Sequence, residues 1–210
     1  MIPETIAEFK PIKLKPIINN YKIVFSNWKF IFNIQIISTI MSFGIVFNVL
    51  APFYAENILH YSAIGFGQVA LLIGGAFFGG NLTNRFLAEY DSQTKTKWCA
   101  ILMLISTVIG LATSFMFDSF PLLVIFTLIT VYLGAIIFPN YLAHHLAMFP
   151  EMAATAGALS SGTSILFSSF WSSSLGALLH PASSFAIALG IAILVIVFSI
   201  FVILERAFAK

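Results

Sequence analysis

The 210-residue chain is 60% hydrophobic and only 9% charged, with 23 Phe, which is more apolar side chain than a soluble domain of this size can cover. Its net charge of +2 is spread over separate segments rather than gathered in one stripe, which excludes a nucleic-acid partner and fits segments lying beside anionic headgroups. The single Cys99 excludes an internal disulfide and a cysteine-based metal centre, and its place near the start of an apolar stretch reads as small packing.

In chain order, residues 1–30 form a Pro-punctuated basic segment carrying Lys10, Lys13, Lys15, Lys22 and Lys29. No small-residue cleavage pattern follows it, so the first apolar stretch reads as a retained span rather than a signal peptide. Six stretches reach the roughly twenty residues needed to cross about 30 Å of hydrocarbon, at about 31–54, 64–87, 98–117, 121–143, 152–176 and 183–204. They make a six-helix transmembrane domain over 31–206 with a short tail at 207–210, and in lipid the spans must be helices, because open sheet edges would leave backbone groups unpaired. Arg85, Lys95 and Lys97 flank the second junction, Arg206 and Lys210 follow the last span, and the alternate links carry no Lys or Arg. The positive-inside rule then places both termini in the cytoplasm.

The six spans divide into three plus three. The first and fourth each carry a Pro near one end followed by Tyr and Ala, as Pro52-Phe53-Tyr54-Ala55 and Pro139-Asn140-Tyr141-Leu142-Ala143. The second and fifth carry small-residue stripes, Gly74, Gly75, Gly79 and Gly80 in one and Ala156, Ser160, Ser164, Ser168, Ser172 and Gly176 in the other, which let membrane helices approach closely. The third and sixth are almost uniformly apolar, as expected of lipid-facing helices. A three-helix unit repeated once returns inverted, the construction of many secondary transporters. The expected fold is therefore an all-α membrane protein of six transmembrane helices in a 3+3 inverted repeat.

Four segments carry a family resemblance: Pro3-Glu4-Thr5 with its basic continuation, Leu50-Ala51-Pro52-Phe53, Gly80-Asn81-Leu82-Thr83-Asn84-Arg85, and Phe149-Pro150-Glu151-Met152-Ala153-Ala154-Thr155-Ala156-Gly157-Ala158-Leu159. With them the chain resembles the C-terminal half of a major facilitator superfamily transporter, most similar to drug:proton antiporters of the bicyclomycin and chloramphenicol resistance type. The third segment is similar to the superfamily's G-x-x-x-D-R loop motif, with Asn84 at the Asp position, and makes Gly80, Asn84 and Arg85 the candidate gating loop. The resemblance implies twelve spans with a cavity between two six-span halves, of which this chain supplies the second. It implies efflux of drug-like lipophilic compounds across a bacterial inner membrane, with proton coupling supplied by a missing or partner N-terminal half; the partner is a second six-helix half or another copy in a homodimer.

Depth along the spans ranks the substrate-site candidates. Tyr132 lies close to the centre of the fourth span, Asn48 about 7 Å outward of the centre of the first, Gln35 near its cytoplasmic mouth, and Asn140 just after Pro139. Ser164 adds a hydroxyl at mid-depth of the fifth. Each is equally a residue of the type that bonds neighbouring membrane helices together. Two other classes stand beside transport: a transport-inactive remnant or membrane partner subunit, and an intramembrane serine hydrolase. The second needs a Ser within reach of a His, whereas His60, His144, His145 and His180 lie at span ends and no G-x-S-x-G elbow occurs. Adjacent His144 and His145 point about 100° apart on a helix and cannot clamp one metal. No cofactor or metal and no catalytic residue is implied; membrane lipid is the certain surrounding partner.

Overall fold

The computed structural model describes residues 14–180 and 182–208. Lys10, Lys13, the Pro3-Glu4-Thr5 segment and Lys210 lie outside the described residues. Among those described, the regular structure is helical: α1 (Leu14–Ser26), α2 (Trp28–Asn57), α3 (Ala63–Phe86), α4 (Ser92–Phe117), α5 (Phe120–Ala147), a 3₁₀ turn (Pro150–Met152), α6 (Ala153–Leu179) and α7 (Ser184–Phe208). Five of these, α2, α3, α4, α5 and α7, are long and apolar enough to cross a membrane, so the chain reads as an all-α membrane protein. The 27-residue α6 is long enough but carries eight serines, which lower its mean hydropathy.

Helix limits follow local chemistry. Asn27 stops α1 in extended backbone and caps α2, its Oδ1 accepting from Lys29 N at 3.0 Å and Phe30 N at 3.3 Å. Ser62 Oγ caps α3 through Gly65 N (3.1 Å) and Asp91 Oδ2 caps α4 through Thr94 N (3.1 Å). Asp118 ends α4 with φ 40° and His180 ends α6 with φ 41°, left-handed positions that turn the chain back sharply. Pro52 and Pro139 lie inside helices: each removes one backbone donor, yet α2 and α5 continue past them.

Neighbour relations are selective. α2 and α5 pack against each other, and so do α4 and α7. α3 and α4 pack on α5, while α6 and α7 pack on α2. The main core lies along α2 and α5, with Phe43, Phe47, Leu50, Leu123 and Ile137 buried against Ile187, Ile191 and Phe198 of α7. Helix direction alternates. Asn84, Lys95, Asn140, Glu205 and Arg206 meet at one end of the bundle, and Tyr54, Asp118 and Ser184 meet at the other. The first is the basic end.

Three expectations change. The basic segment before residue 30 contains a helix, α1. α4 begins six residues before 98, so Lys95 and Lys97 belong to its first turns instead of a junction. The nearly uniformly apolar α7 is not simply lipid-facing: Ile187, Ala188, Ile191, Leu194, Val195 and Phe198 are fully buried, because a stretch apolar on every side between Phe185 and Phe198 leaves no sequence mark of the side that packs.

Candidate functional site

The polar groups of the bundle concentrate along the seam where α3 and α4 meet α5. α3 lies so close to α5 that a Cβ on Gly80 would run into the Tyr132 carbonyl and come within 2.7 Å of Ala135 Cβ. A Cβ on Gly79 would sit in ordinary contact with the Tyr132 ring, 3.6 Å from Cε2. One turn along, Thr83 Oγ1 donates to Gly79 O at 2.9 Å; its single proton is thereby committed, so the 2.6 Å contact with Tyr132 Oη is donated by the tyrosine.

One further turn toward the basic end lies the most unusual group of the molecule. Lys95 is 7% exposed, and its Nζ donates to Asn84 Oδ1 at 2.9 Å and Asn140 Oδ1 at 3.4 Å. Asn140 Nδ2 donates to the same Asn84 oxygen at 3.0 Å. A buried ammonium normally faces a carboxylate, since desolvating a charge costs several kcal/mol unless it is paired. Here its partners are two neutral amides, each turned oxygen-first to the cation.

Asn140 also lines a cleft of about 380 Å³ at this end, with Asp91, Thr96, Tyr141, His144, Glu205 and Arg206 among its walls. Tyr141 Oη donates to Glu205 Oε2 at 2.9 Å and Arg206 Nη2 donates to Gln93 O at 2.7 Å, which ties α7 to both α5 and α4. His144 faces this cleft, whereas His145 is fully buried on the other side of α5, its ring centroid 3.8 Å from that of Phe30. Neither nitrogen of the His145 ring has a hydrogen-bond partner.

A second, apolar groove of about 160 Å³ runs between α2, α5 and α6, walled by Ile37, Met41, Ile45, Phe138, Leu142 and Ile165 with Ser160, Ser161, Ser164 and Ser168 along one side. Ser164 Oγ is buried there without a hydrogen-bond partner. Its neighbours in the stripe are engaged: Ser168 Oγ donates to Ser38 O at 3.2 Å and lies 3.1 Å from Ser42 Oγ, which bonds back to Ser38 O at 2.7 Å. Asn48 is exposed one turn beyond Ile45, on the outward continuation of the same α2 stripe.

The eight residues singled out in the sequence thus fall in distinct places. Gly80, Asn84, Tyr132 and Asn140 share the α3–α5 seam, Ser164 lines the α2–α6 groove, exposed Asn48 and half-buried Gln35 on α2 line neither cavity, and exposed Arg85 stands outside the seam network. The residue missed was Lys95. Its signal was present in the spacing: Lys95 is followed by Cys99 and Met103 at four-residue intervals, the same buried face of α4.

No protein-family model matches the chain, and no curated protein does.

Proposed function

We propose that the chain is one half of a secondary active transporter for small lipophilic compounds, with α2 to α7 crossing the membrane as a 3+3 inverted repeat. The observation that carries the reading is the exchange symmetry of the packing. Substituting α2 for α5, α3 for α6 and α4 for α7 turns each principal neighbour relation into another: α3 on α5 becomes α6 on α2, α4 on α5 becomes α7 on α2, and the α2–α5 and α4–α7 pairs map onto themselves. Because each unit holds an odd number of helices, the second copy runs inverted, with the two-fold axis in the membrane plane.

The serines of α6 accord with a sixth span. Ser160, Ser164, Ser168 and Ser172 are buried toward the bundle, while the exposed side mixes Ile165, Leu166, Phe170 and Leu178 with Ser161, Ser169 and Ser173, whose hydroxyls can bond back to the helix carbonyls one turn earlier. α3 and α6 also carry glycines with open space around them, Gly74, Gly75 and Gly162. Small-residue faces of that kind gain energy only when a helix packs on them, which suits a second six-helix unit on the same or another polypeptide. The apolar groove beside Ser164 then becomes one wall of a shared substrate cavity, and proton coupling falls to the second unit.

A transport-inactive partner subunit is the second reading. The observation favouring it is that the carboxylates among the described residues, Glu56, Glu89, Asp91, Asp118, Glu151 and Glu205, stand at helix ends or in links, leaving mid-depth without an acid to titrate. Ethidium accumulation in cells stripped of their own efflux pumps separates the two. Expression of the chain together with the six-helix unit to which it crosslinks should lower accumulation, and Ser164→Trp, which fills the groove, should restore it. A chain that reaches the membrane and crosslinks to a second six-helix unit yet leaves accumulation unchanged would sink the transport reading.

A further inference from the structure

Helix α1 has a structure that its reading as a plain basic segment does not explain. Among its side chains from Ile18 onward, only Val24 is buried, in a cluster with Phe30, Ile34 and Ala156, so one edge of α1 is fastened to the starts of α2 and α6. Beside that edge, Ile18, Tyr21 and Phe25 form a stripe at i, i+3 and i+7 and are 52%, 40% and 43% exposed. At 100° per residue, Tyr21 lies about 60° from Val24, and Lys22 lies about 60° beyond Phe25 on the far side. The order around the helix is therefore bundle contact, apolar stripe, cation. Lys29, across the Asn27 elbow, adds a second exposed cation at 5.7 Å from the Trp28 ring centroid.

We infer that α1 is an interfacial helix that docks on the anionic phospholipid surface of the bilayer in which the bundle sits, its Ile18–Tyr21–Phe25 stripe entering the acyl boundary and Lys22 and Lys29 meeting phosphate headgroups. Helices with an apolar face edged by lysines lie in that plane, and aromatic rings sit at that depth. α1 stands at the end of the bundle that also carries Arg85, Lys97 and Arg206, while the links at the opposite end, Ile58–Ser62, Asp118–Ser119 and His180–Ser183, hold no Lys or Arg. A negatively charged leaflet is thus the complementary surface at this end and not at the other. The inference requires only that the bundle be membrane-embedded and is independent of transport.

The test is hydrogen–deuterium exchange on the full chain in nanodiscs of phosphatidylcholine alone and with about one-third phosphatidylglycerol. Amides of residues 18–26 should exchange more slowly in the anionic discs, by about fivefold for each lysine engaged, with peptides from α5 unchanged. Lys22→Gln with Lys29→Gln should erase the difference. Raising the salt to about 1 M should erase it in the unaltered chain too, since the screening length then shrinks to about 3 Å; this arm needs no variant to fold. Equal exchange in the two lipids would overturn the inference, as would a lipid difference that survives both high salt and the double substitution. Protection that follows the number of chains per disc instead of lipid charge would assign the face to a second copy and overturn it equally.

Discussion

The Nζ of Lys95 is held by two carboxamide oxygens, Asn84 Oδ1 at 2.9 Å and Asn140 Oδ1 at 3.4 Å. Each amide supplies a dipole where a carboxylate would supply a full countercharge, so the bonds to Nζ are charge-assisted from the donor side only. Asn84→Asp places a carboxylate oxygen 2.9 Å from Nζ at no change in volume. It also leaves the Asn140 Nδ2 bond an acceptor. The expected result is a higher melting temperature in detergent, by an amount worth about 1–2 kcal/mol. Asn84→Leu removes the shorter of the two bonds to Nζ and should cost about 2–3 kcal/mol. Fluorescence-detected size-exclusion melting reads both. Should Asn84→Asp melt as low as Asn84→Leu, Lys95 already has a countercharge and the neutral-amide account fails.

At the scale of elements, lipid provides no hydrophobic drive between helices, so stability rests on how closely their surfaces meet. The α3–α5 seam concentrates that dependence in one residue. At Gly80 a methyl group meets the Tyr132 carbonyl and the Ala135 Cβ, both fixed by the α5 backbone, so Gly80→Ala must push the helices apart. A loss of about 3 kcal/mol is expected, together with loosening of the Thr83–Tyr132 bond. Gly75→Ala, with open space around it, should leave the melting temperature of the isolated chain within about 0.5 kcal/mol. Equal melting of the two variants would show that the seam is not the tight contact. Such element-level features differ in how far the sequence exposes them. The stripe Ala156, Ser160, Ser164, Ser168, Ser172 was legible because small residues at four-residue spacing leave one physical option, a close helix contact, and all five are buried. Gly74 and Gly75 carry the same signal but face open space, since spacing reports that a face is suited to packing and not which partner meets it. The start of α4 was lost for the opposite reason. Lysines end a hydropathy window, although the long, flexible Lys95 side chain returns into the seam, and amphipathic α1 falls below any span-length pattern. Of the site candidates, Asn84 and Asn140 converge although 56 residues apart, a pairing no local pattern encodes.

Across the whole molecule the two ends are closed by different chemistry. The basic end joins α4, α5 and α7 through Tyr141–Glu205 and Arg206–Gln93, bonds spread around an open cleft. The opposite end converges on one carboxylate: Asp118 Oδ1 accepts from Ser184 N and Ser184 Oγ, each at 2.7 Å, and from Tyr54 Oη at 3.0 Å, tying α2, the α4–α5 turn and the start of α7. Burial opposes the charged form of Asp118, but the two bonds from Ser184 and the one from Tyr54 outweigh it and hold the carboxyl below its ordinary value of 3.8. A depressed value means that folding favours the ionised form, so the stabilisation is complete above pH 3.8 and is lost as pH falls through the lowered value. Because Asp118 is largely exposed, solvent screening limits the contribution to about 0.5–1 kcal/mol. Melting temperature should therefore drop between pH 5 and pH 2.5 more steeply for the unaltered chain than for Asp118→Asn, which at neutral pH should melt lower by that amount while keeping Oδ1 as a weaker acceptor. The difference between the two profiles isolates this carboxylate from the acids of the basic end. Parallel profiles would mean that α7 is held against α2 by packing alone, and that the single-carboxylate closure contributes nothing to keeping the six helices in register.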